Sequence, residues 1–423
     1  MEKNIIKNER NFFYFCLTFF LIIFSDSIIF CYNSNNTFVL LGQYSVVVVS
    51  IIFFSIYFFR HNMNFNKDDF FLLISVLFIL LAAVYHSEFS GGYISKISLF
   101  ILGFSICKVC DLKKILEMFQ KIMVLICICS LLCMVIMYFF GPLQFLPKII
   151  NTSGHTFYWF GLSFMTNDSF IRNYGVFTEP SRFQAYINLA IIIEFFYFDG
   201  KINLKRVVLF IITLLTTYST TGFISFIVIF ISFIVSKKNG LSISNKMIIV
   251  VSFIGLALLL NRYTDVFLSS VLKIKSGENS ESFSVRYNSI FGGIKMIINN
   301  FWFGTGIKDA NRLFVESTKG LYSVMEKTTY TNTILMSISK FGVIPGIYYI
   351  YNLYKSLKCF SKNSFVALLL FLALFFMLSG ISFLESIMFN VLPFMHLGLI
   401  KSLQTSSKRN LKQNISVGLG VIR

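Results

Sequence analysis

Long apolar runs separated by short polar segments constrain this chain more than any other feature. The runs are roughly 15–23 residues long, enough to cross a hydrocarbon core of about 30 Å as α-helices. The segments between them alternate in charge. Lys3, Lys7 and Arg10 precede the first run, whereas Tyr32 to Asn36 after it carries no Lys or Arg. Arg60 and Lys67 follow the second run, His86 to Gly92 is again free of Lys and Arg, and Lys108, Lys113 and Lys114 follow the fourth. Lys201, Lys205 and Arg206, then Lys237, Lys238 and Lys246, then Lys355, Lys358 and Lys362 continue the series, and Lys401, Lys408, Arg409 and Lys412 end it. Cytoplasmic loops of membrane proteins carry this excess of Lys and Arg.

The expected fold is therefore an all-α polytopic membrane protein, a single integral membrane domain over residues 1–423 with about twelve transmembrane helices and both termini in the cytoplasm. Spans are expected at about 11–31, 37–59, 69–85, 93–107, 121–140, 183–198, 207–220, 222–235, 247–260, 331–354, 364–378 and 387–400. Two large outer loops remain, residues 141–182 and 261–330, expected to contain short amphipathic helices. The first run, Phe12 to Cys31, is too long for a signal-peptide core and has no small-residue cleavage site after it, so it is expected to act as an anchor.

Composition agrees. The chain is 56% hydrophobic and 13% charged, against about a quarter charged in soluble domains. A transmembrane β-barrel would show short alternating strands instead. The net charge of +18 is accounted for by lysines flanking the spans, and without a soluble basic domain no nucleic-acid partner is expected. Eight cysteines form no disulfide framework, and Cys107 and Cys110 stand without the second pair that a zinc site needs. Inside the spans, Asp26 and Glu194 are the charges noted. Each reads as a residue solvated at the interface or as a functional group.

Chemistry concentrates in the outer loops. Before the sixth span stands F-I-R-N-Y-G-V-F-T-E-P-S-R-F-Q-A-Y, from Phe170 to Tyr186, with Arg172, Glu179 and Arg182. Glu179-Pro180-Ser181 reads as a helix start, since Pro fits the first turn and acids favour the N-terminus. Arg182 would lie on that first turn, along the outer membrane face. A guanidinium's planar fork matches phosphate oxygens; the alternative is that these arginines anchor the span at the headgroups. In the second loop, Ile290, Ile294, Ile297 and Ile298 recur at helical spacing between Ser284 and Ile298, as in an amphipathic helix on the outer face. Arg286 opens that helix, followed by Tyr287. Phe301-Trp302-Phe303 forms an interfacial aromatic cluster. Gly304-Thr305-Gly306, before Lys308, offers a backbone turn that a ligand could approach closely; no strand precedes it, which excludes a dinucleotide site. Asn332 lies at the outer end of the tenth span, with the break F-G-V-I-P-G one or two turns on.

The order of these parts resembles the O-antigen polymerase and O-antigen ligase superfamily. The motifs that carry the resemblance are R-N-Y-G-V-F-T-E-P-S-R-F, T-T-Y-S-T-T-G-F at the turn between the seventh and eighth spans, V-R-Y-N…N-N-F-W-F-G-T-G, and T-N-T-I-L…K-F-G-V-I-P-G. They cover roughly residues 151–354, and the topology covers the rest. The resemblance implies a membrane glycosyltransferase of the bacterial inner membrane, polymerising undecaprenyl-pyrophosphate-linked oligosaccharide repeats into O-antigen or capsular-type polysaccharide at the outer face. Donor and acceptor glycans would both be lipid-linked, with a chain-length regulator as a further partner. Arg172 and Arg286 would be catalytic, holding the pyrophosphate and stabilising the charge that departs with it. Arg182, Tyr287, Gly304, Gly306, Lys308 and Asn332 would bind substrate. No cofactor or metal is required in this picture. Glu179 is either the base that deprotonates the acceptor hydroxyl or a cap for the sixth span. Ligases of this type tend to carry a His-Asn pair where this chain has Thr331-Asn332, a departure that favours polymerase; the histidine of the first loop is His155. A transporter or flippase is the rival of a different class. It fits less well, because the polar residues gather in outer loops rather than at the membrane midplane.

Overall fold

A computed structural model describes residues 2–23, 36–60, 65–150, 156–166, 171–197, 202–236, 280–319, 330–361, 363–380 and 382–399. The fold is mostly helical. The helices are α1 (Glu2–Ile23), α2 (Asn36–Arg60), α3 (Lys67–Tyr85), α4 (Gly91–Val109), α5 (Leu112–Phe140), α6 (Pro180–Phe196), α7 (Leu204–Thr216) and α8 (Thr220–Val235), then α9 (Ser280–Asn299), α10 (Ala310–Thr318), α11 (Thr333–Phe341), α12 (Val343–Phe360), α13 (Ser364–Met377) and α14 (Ile387–Val391). The last runs on through a 3₁₀ turn, Leu392–Phe394, in an apolar stretch that reaches Leu399.

Four described helices are long and apolar enough to cross a membrane, within α2, α3, α4 and α5. The windows of α2 and α3 are only 28% and 33% buried, whereas that of α4 is 67% buried. So α4 is an interior helix, and α2 and α3 present apolar side chains such as Ile51, Phe70 and Leu77 outward. The expected spans at 222–235, 364–378 and 387–400 correspond to shorter apolar helices, that at 207–220 falls on the 13-residue α7, and that at 247–260 lies outside the described residues, as do Asp26 and His155. The expected tenth span is divided: Gly342, at φ 91°, separates α11 from α12.

One expectation needs correcting. The first large loop does not fold as an amphipathic helix, so the chain is not all-α. It holds an antiparallel three-stranded sheet, β1 (Lys148–Ile150), β2 (Thr156–Phe160) and β3 (Ser163–Thr166), in sequential order. Phe157 pairs with Thr166 and Tyr158 with Met165 across β2–β3. The segment is short, turns at Gly161 with φ 58°, and is rich in the aromatic and β-branched residues that suit a pleated surface. Tyr158 and Met165 pack with Cys133 and Met137 of α5, which fastens the sheet to the bundle.

The centre of the molecule is α6. All but one of its residues are buried, polar ones included. A helix covered on every side shows no apolar stripe, and its polar side chains must find partners inside. The Gln184 amide donates to the Met377 carbonyl at 3.4 Å, Asn188 to the Gly222 carbonyl at 3.1 Å, and Gln120 of α5 to the Ala190 carbonyl at 2.7 Å. A Cβ at Gly222 would lie 2.9 Å from that of Gln184, so glycine lets α8 approach α6 closely. Glu194 is not solvated at an interface. It is 1% exposed, accepts from the Asn203 backbone N–H at 2.8 Å, and pairs with Arg206 at 3.4 Å.

Candidate active site

The segment before α6 is held by Asn173. Its backbone N–H donates to the Thr216 carbonyl at 3.0 Å, and its amide donates to the hydroxyls of Thr216 and Ser130 at 2.9 and 3.1 Å. Its side-chain oxygen accepts from the Gly175 N–H at 3.0 Å, an Asx turn. Gly175 takes φ 56°, and a Cβ there would meet the Phe183 ring at 3.0 Å. Asn173 thus pins the turn to the C-terminal end of α7, and its neighbour Arg172 is delivered there. The Arg172 guanidinium donates to the carbonyls of Thr217 and Tyr218, at 3.4 and 3.1 Å. Carbonyls at a helix C-terminus attract a cation, so the arginine is fixed in place. Tyr218 itself adopts φ 48°, uncommon for a bulky residue.

Arg286 arrives from the other loop, on α9. That helix begins at Ser280, so Arg286 does not open it but sits almost two turns in. What marks it is its tertiary setting. Burial, and then the like charge of Arg172, hold the Arg286 guanidinium below its ordinary range. The fold brings arginines from two loops within electrostatic reach of each other. Like charges kept together in a partly desolvated place favour binding of an anion between them. Tyr287, next along, packs against Phe291 with the rings tilted at 36° and their centroids 4.3 Å apart.

The inner face of α9 is made of Asn288, Ser289, Gly292, Gly293 and Met296, all buried, while Ile294 and Ile298 point outward. Ile290 and Ile297 are half-buried, so the expected isoleucine stripe lies only in part on the exterior. Gly292 and Gly293 sit where a Cβ would meet Thr318 at 2.6 Å and the Tyr330 hydroxyl at 2.5 Å.

The remaining expected site residues are placed as follows. Glu179 is the N-cap residue of α6 and is exposed; its side chain makes no cap bond to the backbone and instead accepts from the Ser181 hydroxyl at 2.9 Å. Arg182 is on the first turn of α6 but is buried, 3% exposed, rather than lying along the outer face. Gly304 and Gly306 have φ 69° and 74°, yet their open sides are filled: a Cβ would meet the Lys340 backbone at 2.6 Å at the first, and His86 and Glu88 at 3.1–3.2 Å at the second. The whole turn is bound to its neighbours. His86 Nε2 lies 3.0 Å from the Gly304 carbonyl, and the Glu88 carboxylate accepts from the backbone N–H groups of Ile307 and Lys308 at 3.0 and 3.3 Å. Lys308 keeps an exposed side chain. Asn332 is fully buried; it caps α11 through the Leu335 N–H at 2.9 Å and donates to the Ser379 hydroxyl at 2.7 Å. Thr331 lies 3.1 Å from the Ser289 hydroxyl of α9.

Asn173, Glu88 and Lys96 were not singled out in the sequence. Asn173 stood inside a motif already noted, and an Asn two residues before a Gly signals an Asx turn. Lys96 lies inside the fourth expected span; it is 3% exposed, donates to Asn390 at 2.9 Å and faces the Phe100 ring at 4.7 Å. Among the described residues no group of three or more His, Cys, Asp or Glu side chains is placed to hold a metal ion.

Residues 207–350 match the O-antigen ligase family. The matched third of the chain resembles the O-antigen ligase and polymerase superfamily, and supports a membrane function of that type. It runs from α7 into α12, so it contains Arg286, Tyr287, the Gly304–Lys308 turn and Asn332. It begins after Arg172, Glu179 and Arg182. A search of curated proteins finds no match.

Proposed function

We propose that this chain is a membrane glycosyltransferase that polymerises lipid-pyrophosphate-linked oligosaccharide repeats at the outer face of the bacterial inner membrane, with undecaprenyl pyrophosphate as the lipid carrier. The observation that carries the reading is the convergence of Arg172 and Arg286 from separate loops, close enough for each to feel the other's charge. A pyrophosphate is the kind of anion that such a pair holds bidentately.

In the proposed reaction a hydroxyl of the terminal sugar on the acceptor attacks the anomeric carbon of the donor glycan. The bond from that carbon to the pyrophosphate oxygen breaks, and the lipid pyrophosphate leaves with the electron pair. Arg172 and Arg286 stabilise the charge that grows on the departing oxygen. The hydroxyl proton goes to Glu179, whose carboxylate is exposed and not engaged in capping backbone N–H groups. Tyr287 and Lys308 are the proposed contacts to the substrate, whereas Arg182 is buried, and the mechanism assigns no role to a metal.

Polymerase is preferred to ligase because Thr331 occupies the place of the ligase histidine and is already engaged with Ser289. The test is the surface glycan of a strain lacking the protein. A polymerase defect leaves single repeats at the surface. Long lipid-linked polymer that never reaches its acceptor would indicate a ligase, no surface repeat at all a flippase, and an unchanged ladder would sink the proposal.

A further inference from the structure

A cavity of about 360 Å³ opens at the other end of the bundle, lined by Asp68, Lys108, Lys355, Lys358 and His396. Asp68 is in the first turn of α3, whereas the residues that hold the Gly304–Lys308 turn follow the last turn of α3. The 19 residues of α3 separate the two places by about 28 Å.

The cavity is electropositive. Asp68 is paired with Lys108 at 3.3 Å, so those two charges offset one another. Lys355 and Lys358 are three residues apart on α12 and share a face. Lys355 is steadied by the Tyr351 ring, 4.5 Å from its ammonium. Lysines at span ends alone would be ordinary, but His396 adds a second and independent feature. It is 3% exposed. The Ser356 hydroxyl donates to the Pro393 carbonyl at 2.7 Å, and His396 Nδ1 lies 3.1 Å from that same carbonyl. A carbonyl only accepts, so Nδ1 carries the hydrogen and Nε2 of the neutral ring carries a lone pair. Nε2 is buried and has no hydrogen-bond partner among the described residues. His396 lines the cavity, which thus offers two cations beside a ring whose buried Nε2 acceptor is unmet among the described residues.

We propose that this cavity binds a phosphate diester that bears a free hydroxyl, the chemistry of a phosphoglycerol lipid headgroup, with Lys355 and Lys358 on the phosphate and His396 Nε2 accepting from the hydroxyl. A basic pocket between helices on the lysine-rich side of a membrane protein is suited to an anionic headgroup of that leaflet. The site is separate from the glycan-transfer reaction, and its readout does not depend on it.

The full chain, purified in detergent, is offered phosphatidylglycerol, phosphatidylmethanol (the same charge without the hydroxyl) or soluble glycerol 3-phosphate, and retained ligand is read by native mass spectrometry. The wild type retains phosphatidylglycerol in preference to phosphatidylmethanol. Lys355→Ala and Lys358→Ala each weaken retention about fivefold. His396→Leu abolishes the preference between the two lipids. Lys358 is exposed, so Lys358→Glu folds even if His396→Leu does not, and it also loses the lipid. Undiminished retention by Lys358→Glu overturns the proposal, and so does equal retention of both lipids by the wild type. Glycerol 3-phosphate that displaces the lipid at matched concentration rejects the membrane as the source.

Discussion

Arg172 donates to two carbonyls at the end of α7, and each of those bonds depends on a fork of coplanar N–H groups. Lysine has the charge without the fork. Arg172→Ala and Arg286→Ala are each expected to abolish the polymer ladder while the protein level holds, and lysine at either position should restore little; a glycan gel beside an immunoblot measures both. Asn173→Ala is expected to lower activity through Arg172, because it removes three side-chain hydrogen bonds that hold the turn. Glu194 and Arg206 give a second, asymmetric case. Arg206→Ala leaves a carboxylate that is 1% exposed without its cation, whereas Glu194→Gln leaves an arginine whose side chain is 35% exposed to solvent. Stranding the buried charge costs about 3–5 kcal/mol, so Arg206→Ala is expected to lower the melting temperature clearly more than Glu194→Gln in thermal unfolding of the purified protein.

At the scale of elements, the junction of α11 and α12 is decided by Gly342. Its φ of 91° is unfavourable for any side chain, and a Cβ would lie 2.0 Å from the Trp302 carbonyl oxygen. The Val343 N–H meanwhile donates to the Phe301 carbonyl at 3.0 Å, so the break in the helix is where the aromatic segment docks. Gly342→Ala is expected to reduce the yield of monodisperse protein in size-exclusion chromatography. Gly91→Ala, with nothing within 4 Å of its added carbon, is the matched control and should behave as wild type. The same junction explains why Gly304 is a glycine: the Thr305 N–H donates to the Ser339 carbonyl at 2.7 Å and the Gly306 N–H to that of Lys340 at 3.2 Å, and a Cβ at Gly304 would lie 2.6 Å from the Lys340 backbone. Gly306 is a glycine for a different reason, its φ of 74° and the His86 and Glu88 side chains packed over it.

Across the whole molecule, two loops remote in sequence are brought to one end of the bundle by different means. The first is anchored through Asn173 to α5 and α7, and its sheet packs on α5. The second is anchored by His86 and Glu88 after α3, and by α11. A strain without the protein is expected to display glycan of a single repeat, and complementation by the wild-type chain should restore the ladder on a gel of extracted polysaccharide.

Hydropathy and the placement of Lys and Arg were enough to read a helical membrane protein from the residues, because both patterns reflect transfer between water and lipid, which acts on each segment separately. The helix start at Pro180 and the break near Gly342 were also legible, since Pro and Gly act on local dihedrals. The sheet in the first loop was not, because its pairing is a matter between segments. Nor was the burial of Arg182 and Glu194, which follows from α6 being enclosed on all sides. The sequence by itself determined that arginines would stand in both loops. Only the tertiary structure decided that Arg172 and Arg286 feel one another's charge, because electrostatic reach depends on distance in space, and no pattern along the chain encodes it.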